Sequence, residues 1–560
     1  MTRPNFLIIV ADDLGYSDIG PFGSEIDTPA LDFLAKTGTC LTNFHTASAC
    51  SPTRSMLFSG TDNHIAGLGQ MAEHMGNSRI YQNRPGYEGY LNFRVAALSE
   101  VLQDGGYFTT MSGKWHLGLS QDTSPSARGF EKNLSFLPGC GNHFNYEPQL
   151  EHAADGILAP MQSRDFWMQD DAFIDRTTDL PEPFYSTTTF TDRLLDSLRG
   201  RDESDHRPFF AYPPFTAPHW PLQAPRDIID KYRGKYDAGP GALRRQRLQE
   251  LVRLGRVDKS VLDAQPQELN QEWESLSASE RASSSRKMEI FAAMVDLIDM
   301  NIQRVIDHLA STNELDNTFV LFMSDNGAEG AMLEALPVMG PSGTLASIID
   351  KYYDNSLPNM GNADSFVWYG PGWASAAMAP SRGFKTWITE GGIRCPCVVR
   401  HPPLFGTKSG SEAGVGKQTN SFATVMDIFP TMLELAGVNL PGASFRGREV
   451  VPVRGSSWVP HLSGEKADFH EGEEGEGYIT GWELFGLRAI RQGAWKALYM
   501  APPRGKDRWE LYNVERDPGE LEDCTETEPE ILQRLIEHWE VYYAETGMFD
   551  PGQEFPITKC

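Results

Sequence analysis

The sequence predicts an α/β protein in which helices cover both faces of a large sheet. Short apolar runs, each ended by turn or polar residues, have the length and composition of buried strands. Between these runs lie segments with the period of amphipathic helices, and such alternation is typical of a sheet layered between helices. A chain of 560 residues is too long for one hydrophobic core. We therefore expect a smaller second domain as well.

Five apolar runs are the predicted strands of the large sheet. They are Phe6–Val10, Tyr107–Met111, Phe209–Tyr212, Phe319–Met323 and the run around Val398–Val399. We expect them to be parallel, because strands buried on both faces have such near-continuous apolar sequences. The clearest helix carries apolar residues on one face between Ile290 and Leu309, and a short turn leads from it into the strand at Phe319.

Later segments set the expected domain boundaries. Residues 236–286 are charged and have a helical pattern, which predicts a solvated helical insertion. Residues 464–477 are rich in Gly and Glu, which predicts a linker. We expect residues 1–465 to form the domain that carries the chemistry. Residues 466–560 are expected to form a smaller unit of short β-strands and a closing helix.

The charge of the chain argues against whole classes of partner. A formal net charge of −27 repels phosphates, so neither nucleic acid nor an anionic membrane surface is expected as a partner. Asp12 and Asp13 interrupt the first apolar run too early for a signal peptide, and no other apolar run approaches membrane-spanning length. Seven cysteines are few for this length, which favours a soluble protein of the reducing cytoplasm.

Side chains with oxygen atoms directly follow two of the predicted strands. Asp12 and Asp13 follow the first strand, and Asp325 and Asn326 follow the strand at Phe319. In an open α/β sheet, ligands bind beyond the carboxyl ends of the strands. Three carboxylates gathered there would resist ionisation unless a cation lay between them, and an all-oxygen set favours Ca²⁺ or Mg²⁺ over zinc. The alternative is that these residues form ordinary turns at strand ends.

A candidate nucleophile lies at the start of a predicted helix. In the segment Cys50-Ser-Pro-Thr-Arg54, Ser51 has the character of an N-cap and Pro52 that of a first helical residue. Residue 50 would then lie at the positive end of the helix, which suits an anionic nucleophile or substrate. We do not favour a thiolate like that of the cysteine phosphatases, which have Arg six residues after Cys, because position 56 is Met. The alternative is a buried thiol.

Several cationic residues also follow strands and could hold an anion. Lys114 and His116 follow the second predicted strand and His219 follows the third, while Arg54 and Lys385 lie elsewhere in the chain. Taken singly, such residues are most often surface residues or satisfied core residues. Together they form the local cationic cluster that an anionic substrate needs in a chain of net charge −27.

These motifs resemble those of the type I sulfatases, most nearly the bacterial soluble arylsulfatases, over almost the whole chain. The segments that carry the resemblance are Ala11-Asp-Asp-Leu-Gly15, Cys50-Ser-Pro-Thr-Arg54, Gly113-Lys-Trp-His-Leu-Gly118, Ala217-Pro-His-Trp220, Ser324-Asp-Asn-Gly327 and the segment around Lys385. The resemblance implies an alkaline-phosphatase-like fold: a large mixed sheet flanked by helices, with a smaller C-terminal antiparallel-sheet domain. It implies hydrolysis of sulfate monoesters, aryl sulfates first and alkyl sulfates as a further class, to a phenol or alcohol and inorganic sulfate.

The resemblance also implies two cofactors. A maturation enzyme would oxidise Cys50 to Cα-formylglycine, whose hydrate supplies the nucleophile. A metal, usually Ca²⁺ with Mg²⁺ as the alternative, would be held by Asp12, Asp13, Asp325, Asn326 and an oxygen of the modified residue 50.

Roles for the cationic residues follow from the same resemblance. Arg54 and Lys114 would orient the hydrate, His116 would help to deprotonate it, Lys385 would hold sulfate oxygens, and His219 would protonate the leaving oxygen. Two alternatives stay open: a phosphonate or phosphate monoester hydrolase of the same superfamily, and a sulfate-binding or inactive relative.

Overall fold

The predicted α/β architecture is confirmed by the computed structural model, which describes residues 3–550 apart from 78, 152–164, 203, 264–267, 331–344, 406–415 and 471–476. One large mixed sheet with flanking helices dominates the described chain, and a separate four-stranded antiparallel sheet follows near the C-terminus. Of the predicted linker 464–477, residues 471–476 lie outside the described residues.

Within the described residues, the large sheet has eleven strands. They are β1 (Asn5–Ala11), β2 (Thr39–His45), β3 (Phe108–Lys114), β4 (Lys132–Phe136), β5 (Trp167–Gln169), β6 (Ala172–Phe173), β7 (Phe209–Tyr212), β8 (Thr318–Ser324), β9 (Arg394–Arg400), β10 (Lys417–Thr419) and β11 (Ala423–Thr424). Their spatial order is β10-β2-β9-β8-β1-β7-β3-β4-β5-β6, and β11 pairs with β2. The central strands β8, β1, β7, β3 and β4 are parallel.

Strand β1 lies in the middle of this sheet, between β7 and β8. All seven of its residues are buried, as expected for an apolar strand with neighbours on both sides and helices over the sheet. Its register with β8 pairs Ala11 with Ser324, so the two strands end level with each other. Side chains that follow the two strands therefore begin at the same edge of the sheet.

Helices flank the sheet in two groups that pack among themselves. The helices are α1 (Pro29–Thr37), α2 (Cys50–Ser59), α3 (Asn63–Ala66), α4 (Ala72–Asn77), α5 (Leu98–Asp104), α6 (Ser186–Arg199), α7 (Arg226–Lys231), α8 (Pro240–Arg253), α9 (Lys259–Asp263), α10 (Glu268–Ser275), α11 (Ala278–Ser311), α12 (Leu345–Tyr352), α13 (Pro371–Ala377), α14 (Glu390–Ile393), α15 (Pro402–Phe405), α16 (Ile428–Ala436), α17 (Val459–Leu462) and α18 (Pro529–Thr546). Helix α11 contacts α1, α6 and α7, whereas α2 contacts α3, α5 and α16. A capping box between Ser277 and Glu280 begins α11, which contains the helix predicted between Ile290 and Leu309.

The direction of β9 differs from the prediction. The run around Val398–Val399 was expected to be a parallel strand, but β9 is antiparallel to both β8 and β2. The segment with Lys385 and α14 precedes β9 and lies beside the residues that follow β8, as the hydrogen bond from Lys385 N to Ala328 O shows (2.9 Å). A strand that starts at the edge where β8 ends, and pairs with β8, must run antiparallel to it.

The segment predicted as a solvated insertion is only partly solvated. Arg247 in α8 is fully buried and pairs with Asp18 and Glu25, and the Arg244 guanidinium donates to the backbone O of Pro380 at 2.7 Å. The cationic face of this helix therefore packs against the protein interior, because carboxylate and carbonyl groups there pair with its arginine side chains.

The C-terminal part of the described chain holds the second sheet. Its strands are β14 (Ile479–Leu484), β15 (Leu487–Gln492), β16 (Trp495–Tyr499) and β17 (Trp509–Asn513), all antiparallel, and α18 packs against them. Two short strands, β12 (Ser444–Phe445) and β13 (Arg448–Glu449), pair with each other before it. None of the described helices is at once long enough and apolar enough to span a bilayer.

Candidate active site

Four oxygen-bearing side chains meet at the carboxyl ends of β1 and β8. Asp12 and Asp13 follow β1, and Asp325 and Asn326 follow β8. The backbone N of Asp13 donates to Asp325 Oδ1 (3.2 Å), and Asn326 Nδ2 donates to Asp13 Oδ1 (2.7 Å). All four residues are buried. The convergence expected from the parallel strands is therefore present.

Each of the three carboxylates has a cationic side chain of the protein beside it. The pairs are Lys114 Nζ with Asp12 Oδ2 (2.6 Å), Arg54 Nη2 with Asp325 Oδ2 (2.7 Å) and Lys385 Nζ with Asp13 Oδ2 (2.8 Å). Burial works to raise the pKa of Asp13, but Lys385, His219 and Lys114 outweigh it and lower this pKa to about 2. At Asp12 the expected resistance to ionisation persists: burial, with Asp325 and Asp13, raises the pKa of its carboxyl well above the ordinary value in spite of Lys114 and Arg54.

Two oxygens of the group nevertheless lack a hydrogen-bond donor among the described residues, although Arg54 Nη2 lies 3.9 Å from Asp12 Oδ1. Asp12 Oδ1 and Asn326 Oδ1 are buried and accept no hydrogen bond from any described residue. Possible ligand atoms of Asp12, Cys50 and Asp325 lie within 4.8 Å of one another. Buried acceptors without donors are costly, and a hard cation with oxygen ligands would satisfy them. The residues present therefore fit a metal of this kind.

Cys50 begins helix α2 beside these carboxylates. Ala49, with φ −154° and ψ 157°, is the N-cap, so the prediction that Ser51 caps this helix is wrong. The Ser51 hydroxyl instead accepts a hydrogen bond from the backbone N of Ala72 (3.3 Å). Cys50 is 1% exposed, and burial raises the pKa of its thiol. An unmodified Cys50 is therefore a neutral thiol, which agrees with the reasoning against a thiolate nucleophile.

His219 and Lys385 lie together on the other side of Asp13. His219 Nε2 is 3.3 Å from both Asp13 Oδ2 and Lys385 Nζ. His219 Nδ1 lies 2.8 Å from the backbone O of Trp220, which can only accept, so Nδ1 carries the hydrogen and Nε2 faces the site. Burial lowers the pKa of His219 well below its ordinary value.

Lys114 and His116 are held at the end of β3 by close backbone packing. Gly113 has φ +143°, and a Cβ there would lie 2.0 Å from the backbone O of Pro214, so only glycine lets the two segments approach. The Arg54 side chain donates to the backbone O of Lys114 (3.0 Å), which ties α2 to this strand end. His116 Nε2 lies 2.7 Å from Glu73 Oε1.

Sequence reasoning missed three side chains that support the predicted ones. Glu73 contacts His116, Glu329 Oε2 lies 3.1 Å from Lys385 Nζ, and His143 Nε2 donates to the backbone O of His219 (3.0 Å). Glu329 stands four residues after Asp325, but no rule of spacing directs it to Lys385. His143 and Glu73 belong to no motif that the sequence presents, so nothing in the sequence could have indicated them.

Comparisons with known proteins agree on one family. A model of the sulfatase family matches residues 4–438. The chain is 52% identical to an uncharacterized sulfatase of Schizosaccharomyces pombe, over 99% of this chain and 96% of that protein. It is 35% identical to an arylsulfatase of Klebsiella aerogenes, over 81% of this chain and 91% of the relative.

Solved structures share the fold at lower identity. Ps i-CgsB, in a crystal structure with k-i-k-neocarrahexaose, superposes with a TM-score of 0.67 at 21% identity, over 98% of each chain. The phosphonate monoester hydrolase of Agrobacterium radiobacter superposes with a TM-score of 0.55 at 18% identity, over 97% of this chain and 96% of the other.

Proposed function

This chain belongs to the sulfatase family and hydrolyses sulfate monoesters, and we propose that it acts on aryl sulfates with a nucleophile made by oxidising Cys50. One observation carries the proposal: buried oxygens of Asp12 and Asn326 without donors lie in a group of residues that also includes Cys50 at the N-terminus of α2. The name of the Klebsiella aerogenes relative supports the aryl class of substrate. Alkyl sulfates are a further class that we propose for the same site.

Two groups that the protein must acquire complete the proposed site. Asp12, Asp13, Asp325, Asn326 and an oxygen of modified residue 50 would hold Ca²⁺, with Mg²⁺ as the alternative. The metal would neutralise charge on the sulfate oxygens, and an aldehyde hydrate at residue 50 would supply one hydroxyl to attack sulfur and a second whose deprotonation expels sulfate. The chain's own side chains do the rest.

The cations around the site have separate proposed tasks. Arg54 and Lys114 orient the nucleophile: each is paired with a carboxylate, and Arg54 also donates to the backbone O of Lys114. Lys385 holds sulfate oxygens, and each such donor contributes about 3 kcal/mol by analogy with oxyanion donors. His116 removes a proton from the nucleophile. His219 protonates the leaving oxygen through Nε2 as the imidazolium, so the anionic substrate must first raise the pKa of His219 enough for Nε2 to take up a proton. Lys385, 3.3 Å away, is the second candidate for the proton donor.

The mass of the peptide that carries residue 50, compared between active and inactive preparations, tests this proposal. We expect the active protein to have lost the sulfur of Cys50 and to contain about one calcium or magnesium per chain by elemental analysis. A fully active preparation with an intact Cys50 thiol would contradict the nucleophile. Stoichiometric zinc retained with activity would contradict the assignment of the ligands.

A second candidate function is hydrolysis of phosphonate or phosphate monoesters. Two facts favour this candidate. The chain shares its fold with the phosphonate monoester hydrolase, and sulfate and phosphate esters are similar in shape. Rates on a sulfate ester and a phosphate ester of one phenol separate the two functions. We expect the sulfate ester to react faster, and a faster phosphate ester would make this candidate the principal function.

The setting of the protein is also part of the proposal. We propose a cytoplasmic location with a formylglycine-generating maturation enzyme as partner, and neither nucleic acid nor membrane. The six described cysteines are free, in keeping with a reducing compartment. Residues 1–465 as the catalytic domain and 466–560 as the smaller domain stay our proposed division of the chain.

A further inference from the structure

The contact between Glu73 and His116 determines which nitrogen of the His116 ring is free to accept a proton. Glu73 lies in α4, and His116 follows β3 directly. The side chains are 7% and 4% exposed, and Glu73 Oε1 lies 2.7 Å from His116 Nε2. A carboxylate held this closely to one nitrogen of an imidazole decides which nitrogen carries the hydrogen.

The hydrogen in this contact belongs to the imidazole. Burial works to raise the pKa of Glu73, but His116 outweighs it and lowers this pKa to about 2, so the carboxylate is ionised and can only accept. Nε2 is therefore the donor. Burial lowers the pKa of His116 itself, so the ring is neutral and has no hydrogen on Nδ1.

Nδ1 is consequently left with a lone pair and nothing to bind. It is buried and has no hydrogen-bond partner among the described residues. The Nε2 edge is closed by Glu73 and Gly139, where a Cβ would lie 2.6 Å from Glu73 Oε1 and 2.9 Å from Nε2. The charged groups that act on the ring are Glu73 from α4, Lys114 from β3 and Arg54 from α2, and the last two belong to the active site.

We propose that Glu73 is a positioning residue that fixes His116 in the Nε2–H tautomer and so presents Nδ1 as the base for the nucleophile at residue 50. In this step the O–H bond of the nucleophile breaks and an N–H bond forms at Nδ1. The imidazolium that results is held against the Glu73 carboxylate. The inference rests on the role proposed above for His116.

Glu73→Gln is the first test, because the amide keeps the shape of the side chain and removes its charge. We expect kcat to fall about 10²-fold, within the range that a general base contributes. The acid limb of the kcat profile should also move to lower pH, because the carboxylate that favours protonated His116 is gone. A fall in kcat with the acid limb unmoved would indicate a merely structural role and overturn the proposal.

A double-mutant cycle asks whether Glu73 acts through His116. If it does, the variant with both Glu73→Gln and His116→Ala is no slower than His116→Ala alone. Losses that multiply would overturn the proposal. The mass of the residue 50 peptide is measured in every variant, and modification lost only in Glu73→Gln would assign the effect to maturation and also overturn it. An intact thiol in active wild-type protein would refute the proposed nucleophile. The double-mutant cycle would still show whether Glu73 acts through His116.

Two glycines provide a matched pair if Glu73→Gln does not fold. Gly139→Ala adds a Cβ that displaces Glu73 and His116, whereas Gly141→Ala crowds Phe136 Cζ at 2.6 Å in the same segment. We expect the acid limb to move in Gly139→Ala and to stay in Gly141→Ala. Equal behaviour of the two variants would contradict the positioning role.

Discussion

Two clusters of buried charge in this protein resemble each other in composition and differ in how close their carboxylate oxygens lie to a cation. The active-site cluster lies at the carboxyl ends of β1 and β8. The second, the junction cluster, consists of Glu390 in α14, Lys496 in β16, His45 in β2 and Glu520. Glu390 Oε1 lies 2.9 Å from Lys496 Nζ and Oε2 lies 2.9 Å from His45 Nε2, and Lys496 Nζ lies 2.9 Å from Glu520 Oε1.

Every carboxylate oxygen of the junction cluster lies 2.9 Å from a nitrogen, including Glu520 Oε1, which is ion-paired with Lys496 although it accepts no well-formed hydrogen bond. The active-site cluster is more open, since Arg54 Nη2 lies 3.9 Å from Asp12 Oδ1. Both oxygens of Glu390 have cationic or imidazole partners, and Glu520 Oε2 accepts from the backbone N of Glu390 (2.9 Å). In the active-site cluster, Asp12 Oδ1 and Asn326 Oδ1 accept no hydrogen bond from described residues. Burial and charge are common to both clusters, so neither property identifies a functional site. The clusters differ instead in how close a cation lies to each carboxylate oxygen.

Removing the nucleophile should separate activity from stability most strongly. Cys50→Ala is expected to lower kcat about 10⁵-fold or more, by analogy with the loss of other nucleophiles. Its cost in unfolding free energy should be about 1 kcal/mol, because one buried sulfur is lost. Cys397→Ala in β9 is the matched control, with a similar loss of stability and full activity. Activity retained in Cys50→Ala would end the proposed chemistry.

Removing the proposed acid should affect substrates unequally. His219→Ala is expected to slow alkyl sulfates by about 10²–10⁴-fold, because an alkoxide leaves poorly without a proton. Nitrophenyl sulfate should lose far less, since nitrophenolate leaves readily. Rates over a series of leaving groups provide the measurement. The same loss for every substrate would assign His219 to binding and make Lys385 the first candidate for the acid.

Disrupting the junction cluster should lower the free energy of unfolding and leave kcat unchanged. Lys496→Met leaves Glu390 and Glu520 buried without their shared cation, and such a change costs about 3–5 kcal/mol. Urea unfolding should show this loss, while kcat per folded molecule stays near the wild-type value. Lys132→Met is the control, because the Lys132–Asp170 pair is exposed and should contribute less than about 1 kcal/mol. A large loss of kcat in folded Lys496→Met would remove the distinction between the clusters.

A third buried contact is expected to make the free energy of unfolding depend on pH. His64 in α3 lies 2.8 Å from both Asp62 Oδ1 and Glu483 Oε2. Burial works to lower the pKa of His64, but Asp62 and Glu483 outweigh it and raise this pKa to about 9. Because the folded pKa lies above the unfolded value of about 6.5, the stabilisation is complete below pH 6.5 and is lost as pH rises through about 9.

The variant His64→Gln isolates this effect. The difference in unfolding free energy between wild type and variant should shrink by on the order of 2–3 kcal/mol from pH 6 to pH 10. Denaturant unfolding at intervals of pH measures it. A difference that does not change with pH would show that His64 is not charged in the folded protein.

The positions of most candidate site residues could be predicted from the sequence because they depend on local rules. A strand of apolar residues ends where polar ones begin, and parallel strands end at one edge, so Asp12 and Asp325 could be expected to meet. Cys50 could be assigned to a helix N-terminus because proline is favoured in a first helical turn. Each rule needs only a few neighbouring residues.

What could not be predicted depends on contacts between distant segments. Ala49 caps α2 where Ser51 was expected, and the Ser51 hydroxyl accepts a hydrogen bond from the backbone N of Ala72 in another helix. Arg247 looked solvated because its helix is charged, yet buried Asp18 pairs with it. The direction of β9 depends on the edge at which the chain enters the sheet, and the hydrophobic periodicity of the sequence does not indicate that edge.

The burial of Cys50 determines whether its enzymatic oxidation comes before or after folding. Cys50 is 1% exposed, and every residue of α2 is buried as well. An enzyme large enough to need several residues of this segment in its own cleft cannot reach the thiol once α2 has packed. Any enzymatic oxidation of Cys50 therefore belongs to the interval between synthesis of this segment and its folding. A chain that folds first keeps its thiol for as long as it stays folded.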